Sequence, residues 1–433
     1  MTEDKALEKL KTALEKNNQN KALSQLKSLT SRRSFLGAAG AAALLESSQA
    51  WQGLFGRGLL PIAWAEASQK VYPGKEGMQV HNLRPVNGEF APHMLADSIT
   101  PTNRHFVRNN GLIPPKAMEM DASDWSLTIE GEVEKPLRLN LKELKKLESV
   151  TGAYLVECGG NGRALFDPPV RGNQWERGAV SCSEWTGVPL SLLLKMAGLK
   201  KTAVYTAHYG EDIPLGRAKP FSRGIPIEKA LMEHTIVAYK MNGKDIPPAH
   251  GFPVRLIVPG WIGSCSQKWL NRIVVRDRVH DAKKMVGYSY RVPKYQVAPG
   301  VRPPKEDMEI ATSWVVKSLV TAPAASSQVG VGEKVLVRGH AWAGEKKVAR
   351  VLISLDYGVT WQEASLKDPP NKYAWYDFSS ETSFSKKGYY EIWARAFDQD
   401  GEAQPFLQPW NPKGYLGNVI HRVPIYVGIA KDA

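Results

Sequence analysis

The chain of 433 residues contains only three cysteines, at positions 158, 182 and 265. No Cys-x-x-Cys-His motif occurs, so the chain has no attachment site for a c-type haem of its own. No closely spaced group of cysteines could hold an iron–sulfur cluster, and no His-x-x-x-His pair indicates a zinc site. Because three is an odd number, at least one thiol has no disulfide partner.

Long apolar runs are also missing, since nothing near the amino terminus approaches the ~20 residues that a membrane span needs. The uncharged run Ala38–Leu45 follows Ser31-Arg32-Arg33-Ser34-Phe35-Leu36-Gly37. This pattern predicts that residues 1–67 are a twin-arginine export signal with a polar N-terminal extension, and that the protein is periplasmic. Ala63-Trp64-Ala65 and Ala65-Glu66-Ala67 both suit cleavage. Because this route exports folded proteins, the signal also predicts a complex cofactor that is inserted before export.

The sequence has no run rich in lysine and arginine and no recognisable nucleic-acid-binding module, so we expect no nucleic-acid partner. Its 57 Lys and Arg exceed its 43 Asp and Glu, which gives a net charge of +14. Residues 1–67 hold nine of the basic and six of the acidic residues, so 48 basic and 37 acidic residues remain without them. This positive field favours anionic substrates or an acidic protein partner. Simple solubility is the alternative explanation.

The chain after the signal divides into two parts of different character. Residues 68–305 mix short helical and strand patterns, such as Leu190–Ala197 and Asp124–Gly131, and predict an α+β domain. The Pro-rich segment Pro299–Pro304 ends this part. Residues 306–433 carry alternating strand patterns separated by Asp and Gly turns, which predict an all-β immunoglobulin-like sandwich.

One cysteine has the surroundings of a metal ligand. In Leu155-Val156-Glu157-Cys158-Gly159-Gly160-Asn161-Gly162-Arg163, an apolar strand ends at Cys158, and the Gly- and Asn-rich loop lets the backbone approach a bulky group. A soft thiolate suits a transition metal, and the nearby Arg163 would favour its charged form. On this segment alone, the alternative is a buried structural cysteine before a turn.

Three segments of the chain together resemble the sulfite oxidase family. They are Phe106-Val107-Arg108-Asn109-Asn110, the Cys158 loop, and His250-Gly251-Phe252-Pro253-Val254-Arg255 followed by Lys268-Trp269-Leu270. The resemblance extends over most of residues 80–433 and implies a sulfite-oxidase-fold domain that binds one molybdenum–molybdopterin per chain. It also implies that the sandwich is a dimerisation domain and forms a homodimer.

Carried over position by position, the resemblance implies a role for each matching residue. Cys158 would be the protein ligand of molybdenum. The phosphate-bearing cofactor would be held by polar and cationic side chains, namely Asn109, Asn110, Asp212, His250, Arg255, Ser266 and Lys268. Catalytic residues that orient a sulfur oxyanion, while the cofactor carries the oxygen-atom transfer, would be Arg108, Arg163, Trp175, Tyr290 and Lys413.

The sequence departs from the family pattern at three places. Asn110 stands where a histidine is common, which changes one pterin contact. Lys413 in Trp410-Asn411-Pro412-Lys413-Gly414 stands where an arginine is common, so a point charge replaces a forked guanidinium. The active-site tyrosine is assigned to Tyr290, with Tyr288 as the alternative. The segment Ser181–Leu190 is similar to the branch of the family that contains SoxC, the molybdenum subunit of a sulfane dehydrogenase in periplasmic thiosulfate oxidation.

The electrons released at molybdenum need an acceptor, and the sequence carries no haem motif to receive them. We therefore expect a separate c-type cytochrome as a partner, and a small sulfur-carrier protein as a second partner if the substrate is sulfane sulfur. Free sulfite and carrier-bound sulfane sulfur both remain open as substrates. The alternatives are a molybdenum-dependent reductase of the same fold and a cofactor-free periplasmic binding or scaffold protein.

Overall fold

The computed structural model describes residues 72–429, so the predicted export signal over 1–67 lies outside the described residues. In the described range, strands account for most of the regular structure, and helices are short. None of the helices in that range combines the length and the apolar character needed to cross a membrane.

The first domain contains three main sheets and a separate strand pair. Its strands are β1 (Gln79–Leu83), β2 (Val86–Glu89), β3 (Val107–Arg108), β4 (Ser126–Gly131), β5 (Leu137–Asn140), β6 (Val150–Glu157), β7 (Val180–Pro189), β8 (Tyr205–Gly210), β9 (Ser222–Pro226), β10 (Ile236–Met241), β11 (Lys244–Asp245), β12 (Arg255–Ile257), β13 (Leu270–Arg276), β14 (Arg291–Pro293) and β15 (Met308–Ile310). The sheet orders are β1-β2-β3, then β11-β10-β7-β6 with β12 also on β10, then β5-β4-β13-β8-β9. Only the β4–β13 pair in this domain is parallel among the described strands, and β14 pairs with β15 alone.

Short helices connect these strands. They are α1 (Pro115–Met118), α2 (Leu141–Leu144), α3 (Leu190–Ala197), α4 (Ile227–Ala230) and α5 (Lys283–Val286). The longest of them, α3, buries Leu190, Leu193, Leu194 and Ala197, which is the spacing of one helical face. It ends at Gly198, whose φ of +71° is a left-handed conformation that glycine adopts without strain.

The second domain is a sandwich of two sheets. Its strands are β16 (Lys317–Ala322), β17 (Ser327–Val329), β18 (Lys334–Trp342), β19 (Val348–Ser354), β20 (Gln362–Glu363), β21 (Ser365–Lys367), β22 (Tyr376–Ser383), β23 (Gly388–Asp398) and β24 (His421–Val427). One sheet has the order β16-β18-β22-β21 and the other has the order β17-β24-β23-β19-β20. The predicted fold, an α+β domain followed by an all-β sandwich, is confirmed. The last strand of the first domain ends at Ile310, and the first strand of the sandwich begins at Lys317, so the chain passes from one domain to the other between these residues. The boundary at 305/306 stays a prediction.

Two of the local patterns can be compared directly with the structure. The strand over Asp124–Gly131 corresponds to β4, and the helix over Leu190–Ala197 is α3. Residues Leu141–Leu144 form a single helical turn, α2, which begins with a capping box between Asn140 and Glu143.

The two domains share a buried core. Trp314, Leu319, Trp342 and Trp375 belong to the same continuous hydrophobic cluster as the core strands of the first domain. The sandwich also has a core of its own between its two sheets. The loops that the sandwich contributes to the site therefore rest on a packed interface and not on a flexible linker.

Candidate active site

Cys158 follows the last residue of β6, where that strand leaves its pairing with β7. Its backbone N–H donates to the carbonyl oxygen of Ala179 at 2.9 Å, and its own carbonyl accepts from the N–H of Asn161 at 2.7 Å. The side chain is 8% exposed, and all three cysteines are free thiols. The structure thus holds a fixed, nearly buried thiol at the end of a central strand.

Two cavities meet at this thiol. The inner cavity is lined by His105, Phe106, Arg108, Asn110, Cys158, Asp212, Phe221, His250, Arg255, Ser264, Ser266, Gln267, Lys268 and Tyr290, among others. The outer cavity is lined by Asn82, Asn87, Arg108, Asn109, Asn110, Cys158, Arg163, Arg171, Asn173, Trp175, Tyr290, Lys413 and Tyr415, among others. Every residue predicted for the site lines one or both cavities. Their roles remain predictions.

The inner cavity concentrates positive charge away from water. Burial lowers the pKa of Arg255 to about 9, and burial with the nearby Arg255 and Arg108 lowers the pKa of Lys268 well below its ordinary value. Among the described residues, Asp212 is the only carboxylate in its lining, and burial raises the pKa of Asp212 to about 6. An anion seated here would neutralise charges that otherwise oppose one another.

Unused hydrogen-bonding atoms lie in this wall and directly beside it. Among the described residues, no partner is found for Asn109 Nδ2, Arg255 Nε, Asp212 Oδ1, Ser264 Oγ and Gln267 Oε1, although all of these atoms are buried. Buried polar atoms are nearly always paired in native proteins. Unpaired donors and acceptors beside uncompensated cations are what a polar, phosphate-bearing cofactor would satisfy, so these residues fit the molybdopterin implied by the sequence.

Main-chain carbonyls hold the cationic side chains in place. Arg255 donates from Nη1 to the carbonyl of His250 at 3.0 Å and from Nη2 to the carbonyl of Ser266 at 3.2 Å. Lys268 Nζ donates to the carbonyl of Ala249 at 2.7 Å and also contacts Asn109 Oδ1. Neutral carbonyls fix the geometry but leave the positive charge uncompensated.

Lys75 contacts His250 of the inner cavity, and the motifs did not reveal it. It is 6% exposed, and its Nζ lies 2.8 Å from Nε2 of His250 and donates to the carbonyls of Thr102 and His105. Burial lowers the pKa of Lys75 to about 7. Burial and then Lys75 lower the pKa of His250, so its ring stays neutral. No local signal marked this lysine, because it lies in an irregular stretch 175 residues before His250.

Arg108 is a guanidinium that lines both cavities, as Cys158 does. It lies beside the Cys158 side chain, and its Nη2 donates to Asn110 Oδ1 at 2.8 Å. Burial alone would lower the pKa of Arg108, but Tyr290 and Cys158 beside it raise this pKa above its ordinary value. Arg163, which the sequence suggested for this role, donates to the main-chain carbonyls of Lys413 and Asn173.

Tyr290 lies between the cavities, whereas Tyr288 lines neither. The Tyr290 hydroxyl lies 3.3 Å from Asn110 Nδ2, and its ring stacks on Tyr415 with centroids 5.3 Å apart. Its φ of +58° is uncommon for a large side chain and is typical of residues that the surrounding structure holds in place. Tyr288 instead donates to the carbonyl of Pro303.

Cations from both domains surround the outer cavity. Burial lowers the pKa of Lys413, and Arg302, Arg163, Arg171 and Lys284 lower it further. No carboxylate lines this cavity in the described part of the chain. Several like charges around one opening attract an anion and steer it inward.

Trp175 forms a fully buried wall of the outer cavity. It is 0% exposed and packs edge-on against His81 at a centroid distance of 4.5 Å. Its Nε1 has no acceptor among the described residues. A large apolar ring with a free donor can exclude water and still contact an oxyanion.

Comparisons with known proteins bear on this arrangement. The model of the oxidoreductase molybdopterin binding domain matches residues 113–284, and that of the Mo-co oxidoreductase dimerisation domain matches residues 309–428. Sulfite oxidase of Gallus gallus is 33% identical over 379 residues, which cover 81% of this chain and 78% of that enzyme. Mitochondrial sulfite oxidase of Rattus norvegicus is 32% identical over 371 residues, covering 81% of this chain and 66% of that enzyme.

A reductase and a solved structure are also similar. NADH nitrate reductase of Solanum lycopersicum is 33% identical over 367 residues, covering 76% of this chain and 38% of that enzyme. The chain thus spans less than two thirds of the length of the rat and tomato relatives. The crystal structure of the sulfane dehydrogenase SoxCD from Paracoccus pantotrophus matches with a TM-score of 0.65 at 24% identity, covering 89% of this chain and 99% of that one. At this identity the match shows a shared fold.

Proposed function

We propose, from the premise that the chain belongs to the sulfite oxidase family of molybdopterin oxidoreductases, that it is a molybdenum-dependent dehydrogenase of anionic sulfur compounds. The observation that carries the proposal is the meeting of two cationic cavities at one thiol. The inner cavity suits a cofactor that stays bound, and the outer cavity suits an anion that enters and leaves. Either free sulfite or sulfane sulfur on a carrier protein has the required charge.

Side chains in and beside the inner cavity would hold the cofactor. Lys268, Arg255 and Asn109 would bind its phosphate and pterin, and Cys158 would bind the metal. When bound, the molybdenum centre supplies oxygen-atom transfer and takes up two electrons from the substrate. Because Arg108 lines both cavities beside Cys158, its positive charge would stabilise the thiolate that a metal requires.

Residues of the outer cavity would capture and orient the substrate. Arg163 and Lys413 would draw an anion inward, and Arg108, which lines both cavities, would hold it beside the thiol. The Tyr290 hydroxyl would donate a hydrogen bond at the junction, and Trp175 would exclude water from that side. Sulfite oxidation consumes one water and releases two protons and two electrons, so a path to a separate electron acceptor is needed.

A c-type cytochrome in the periplasm is the acceptor that we propose. The argument rests on the twin-arginine signal in the sequence and on the positive charge of residues 68–433, which favours an acidic partner. A small sulfur-carrier protein would be a second partner if sulfane sulfur is the substrate. The segment Ser181–Leu190 and the fold shared with SoxCD support this choice.

The test combines metal analysis with a comparison of substrates. We expect about one molybdenum per chain in protein purified after export, with cytochrome c reduction by free sulfite, by a persulfidated carrier protein, or by both. Protein without molybdenum would favour the binding or scaffold alternative. Turnover of nitrate or a sulfoxide with reduced viologen, and none with sulfite or persulfide, would favour a reductase. The cationic outer cavity argues against a neutral sulfoxide.

We also propose that two copies of the chain pair through an exposed apolar patch on the sandwich. The patch is formed by Tyr357, Val359, Tyr389, Phe406 and Leu407, of which Val359 is 81% and Leu407 is 79% exposed. Its aromatic members are linked, since Tyr357 donates to the carbonyl of Tyr389 and the Trp393 ring contacts the rings of both Tyr357 and Phe406. An exposed apolar patch commonly marks a protein interface, and the matched dimerisation domain supports a second copy as the occupant.

Light scattering of Val359→Asp with Leu407→Asp tests this interface. We expect the double variant to be monomeric, because two buried carboxylates per face would have no partners. Leu336→Asp is a matched control, since Leu336 is 52% exposed on β18 of the other sheet. A double variant that stays dimeric would place the interface elsewhere. Substitutions are preferable to a truncation near Pro304, which would remove Lys317 from the buried carboxylate of Glu157.

A further inference from the structure

The residue before Cys158, Glu157, is a buried carboxylate that takes no part in the proposed chemistry. Glu157 ends β6 and is 0% exposed. Asn161 Nδ2 donates to its Oε1 at 2.9 Å, and Trp342 Nε1 donates to its Oε2 at 2.8 Å. Lys317 forms an ion pair with Oε1. Both carboxylate oxygens are therefore held by fixed donors.

Two of these donors come from one position of the sandwich. Lys317 is the first residue of β16, Trp342 is the last residue of β18, and the two are directly paired across the ladder. Lys317 is 6% exposed and Trp342 is 4% exposed. Residues that are paired within a sheet hold their contacts more rigidly than residues in a loop do.

The residue after Cys158 is bonded to the same domain. The backbone N–H of Leu416 donates to the carbonyl of Gly159 at 3.1 Å. Cys158 thus lies between Glu157 and Gly159, each of which is bonded to the sandwich. Within the first domain, Asn161 adds a third restraint, because its N–H donates to the Cys158 carbonyl.

Such a pair is not explained by stability alone. Desolvation of two charges offsets much of their attraction, so a buried ion pair is weak evidence of stabilisation, and its best-attested use is to select one arrangement. We infer that Glu157, Lys317 and Trp342 are positioning residues that hold the Cys158 thiol at the junction of the two cavities. The sandwich is then part of the metal site as well as a dimerisation domain. The inference rests on the proposed function, because it takes Cys158 as the metal ligand.

Cysteine alkylation of the full chain tests the inference without any turnover. The protein is purified from cells that cannot make the pterin, and labelling by monobromobimane is followed at each cysteine by mass spectrometry. Cys182 and Cys265 are 0% exposed and report global opening. In Trp342→Phe, loss of one hydrogen bond should raise the labelling rate of Cys158 about ten-fold, with little change at the other two. Lys317→Met should raise it more, and Lys317→Arg should restore a rate near that of the wild type.

Lys229→Met is the matched control. Lys229 is 4% exposed and also forms an ion pair across the domains, with Glu345, but it lines neither cavity. Its loss should leave Cys158 labelling unchanged. If Lys317→Met does not fold, Trp342→Phe decides the result. Unchanged Cys158 labelling in folded variants, or equal acceleration in Lys229→Met, overturns the inference.

Molybdenum content separates this inference from the proposed function. In cells that make the cofactor, Trp342→Phe and Lys317→Met should retain less molybdenum than Lys229→Met. If wild-type protein binds no molybdenum, the proposed function fails, whatever the labelling shows. If wild type and all variants bind it equally and label equally, only the positioning inference fails.

Discussion

The inner and outer cavities share Arg108, Cys158 and Tyr290, yet they are built differently. In the inner cavity, the charged groups are buried, held by main-chain carbonyls and drawn from the first domain alone. In the outer cavity, Lys413 and Tyr415 come from the sandwich, and the cations surround an opening. Both are positive, but they differ in how much water remains around the charge.

This difference determines which cavity retains its ligand and which cavity exchanges it. A buried cation without an anion costs several kcal/mol, so an anion that fills the inner cavity relieves a large penalty and should leave slowly. A partly exposed cation is already hydrated, so an anion in the outer cavity gains about 1 kcal/mol from each contact and can leave quickly. The inner site therefore suits a resident cofactor, and the outer site suits a substrate.

The largest effect is expected at Cys158, which lines both cavities. Cys158→Ser should abolish activity while leaving the fold largely intact, because a hydroxyl is a poor replacement for a thiolate metal ligand. Cys182→Ser and Cys265→Ser should be mild by comparison. Burial raises the pKa of Cys182 to about 12, which keeps this thiol protonated and inert. Steady-state turnover checks the prediction, and near-normal turnover of Cys158→Ser would remove Cys158 from the metal site.

A variant of the inner cavity should reduce cofactor content. Arg255→Leu removes a guanidinium that is 4% exposed and has one unused donor, so it should weaken cofactor binding by roughly 2–3 kcal/mol, or at least thirty-fold. Molybdenum per chain after dialysis measures the loss. Arg272→Leu is the control, because its ion pair with Glu130 is exposed on both sides. Full retention of molybdenum by Arg255→Leu would contradict the contrast between the cavities.

A variant of the outer cavity should affect substrate capture instead. Lys413→Ala should raise KM more than it lowers kcat, at a cost of about 1 kcal/mol or five-fold in kcat/KM. The substitution removes the charge and leaves the bond from Arg163 in place, because Arg163 donates to the main-chain carbonyl of Lys413 and not to its side chain. Lys413→Arg should be tolerated. Kinetics at low and high salt check the prediction, and an unchanged KM at low salt would make Lys413 an ordinary surface residue.

The sequence predicted the residues of the candidate site that lie in local motifs. Asn109, His250 and Lys268 were predicted because short segments identify them, although they meet only in three dimensions. Lys75 and Lys317 were missed for a physical reason. Their partners, His250 and Glu157, are 175 and 160 residues away, and strand or helix periodicity carries no information on such pairs.

The fold shows the same limit. The alternating pattern of β4 and the helical spacing of α3 could be read from neighbouring residues. The parallel pairing of β4 with β13 joins residues 126–131 to 270–276, and no nearby signal specified it. Sequence patterns thus predicted elements and domains, while the partners of each strand came from the structure.

The smallest expected effect is a difference in pH dependence between cofactor-free and loaded protein. Burial lowers the pKa of Lys75 to about 7, from an ordinary value of 10.5. Between these values the unfolded chain binds a proton that the folded, cofactor-free chain does not, so the free energy of unfolding rises with pH. The lowered pKa values of Lys268 and Arg255 act in the same direction. Asp212, with its pKa of about 6, has finished titrating below this window.

Calorimetry between pH 7 and 9 should therefore show the Tm of cofactor-free protein rising by at least ~2 °C per pH unit, because each proton that only the unfolded chain binds contributes this much in a chain of this size. In loaded protein the rise should be smaller, because a bound anion favours the charged lysine and narrows the gap between its folded and unfolded pKa values. Lys75→Met should flatten the slope of the cofactor-free protein toward that of the loaded one. Equal slopes in the two forms would mean that the anion does not reach the buried cations, and the cofactor would then have to lie nearer the outer cavity.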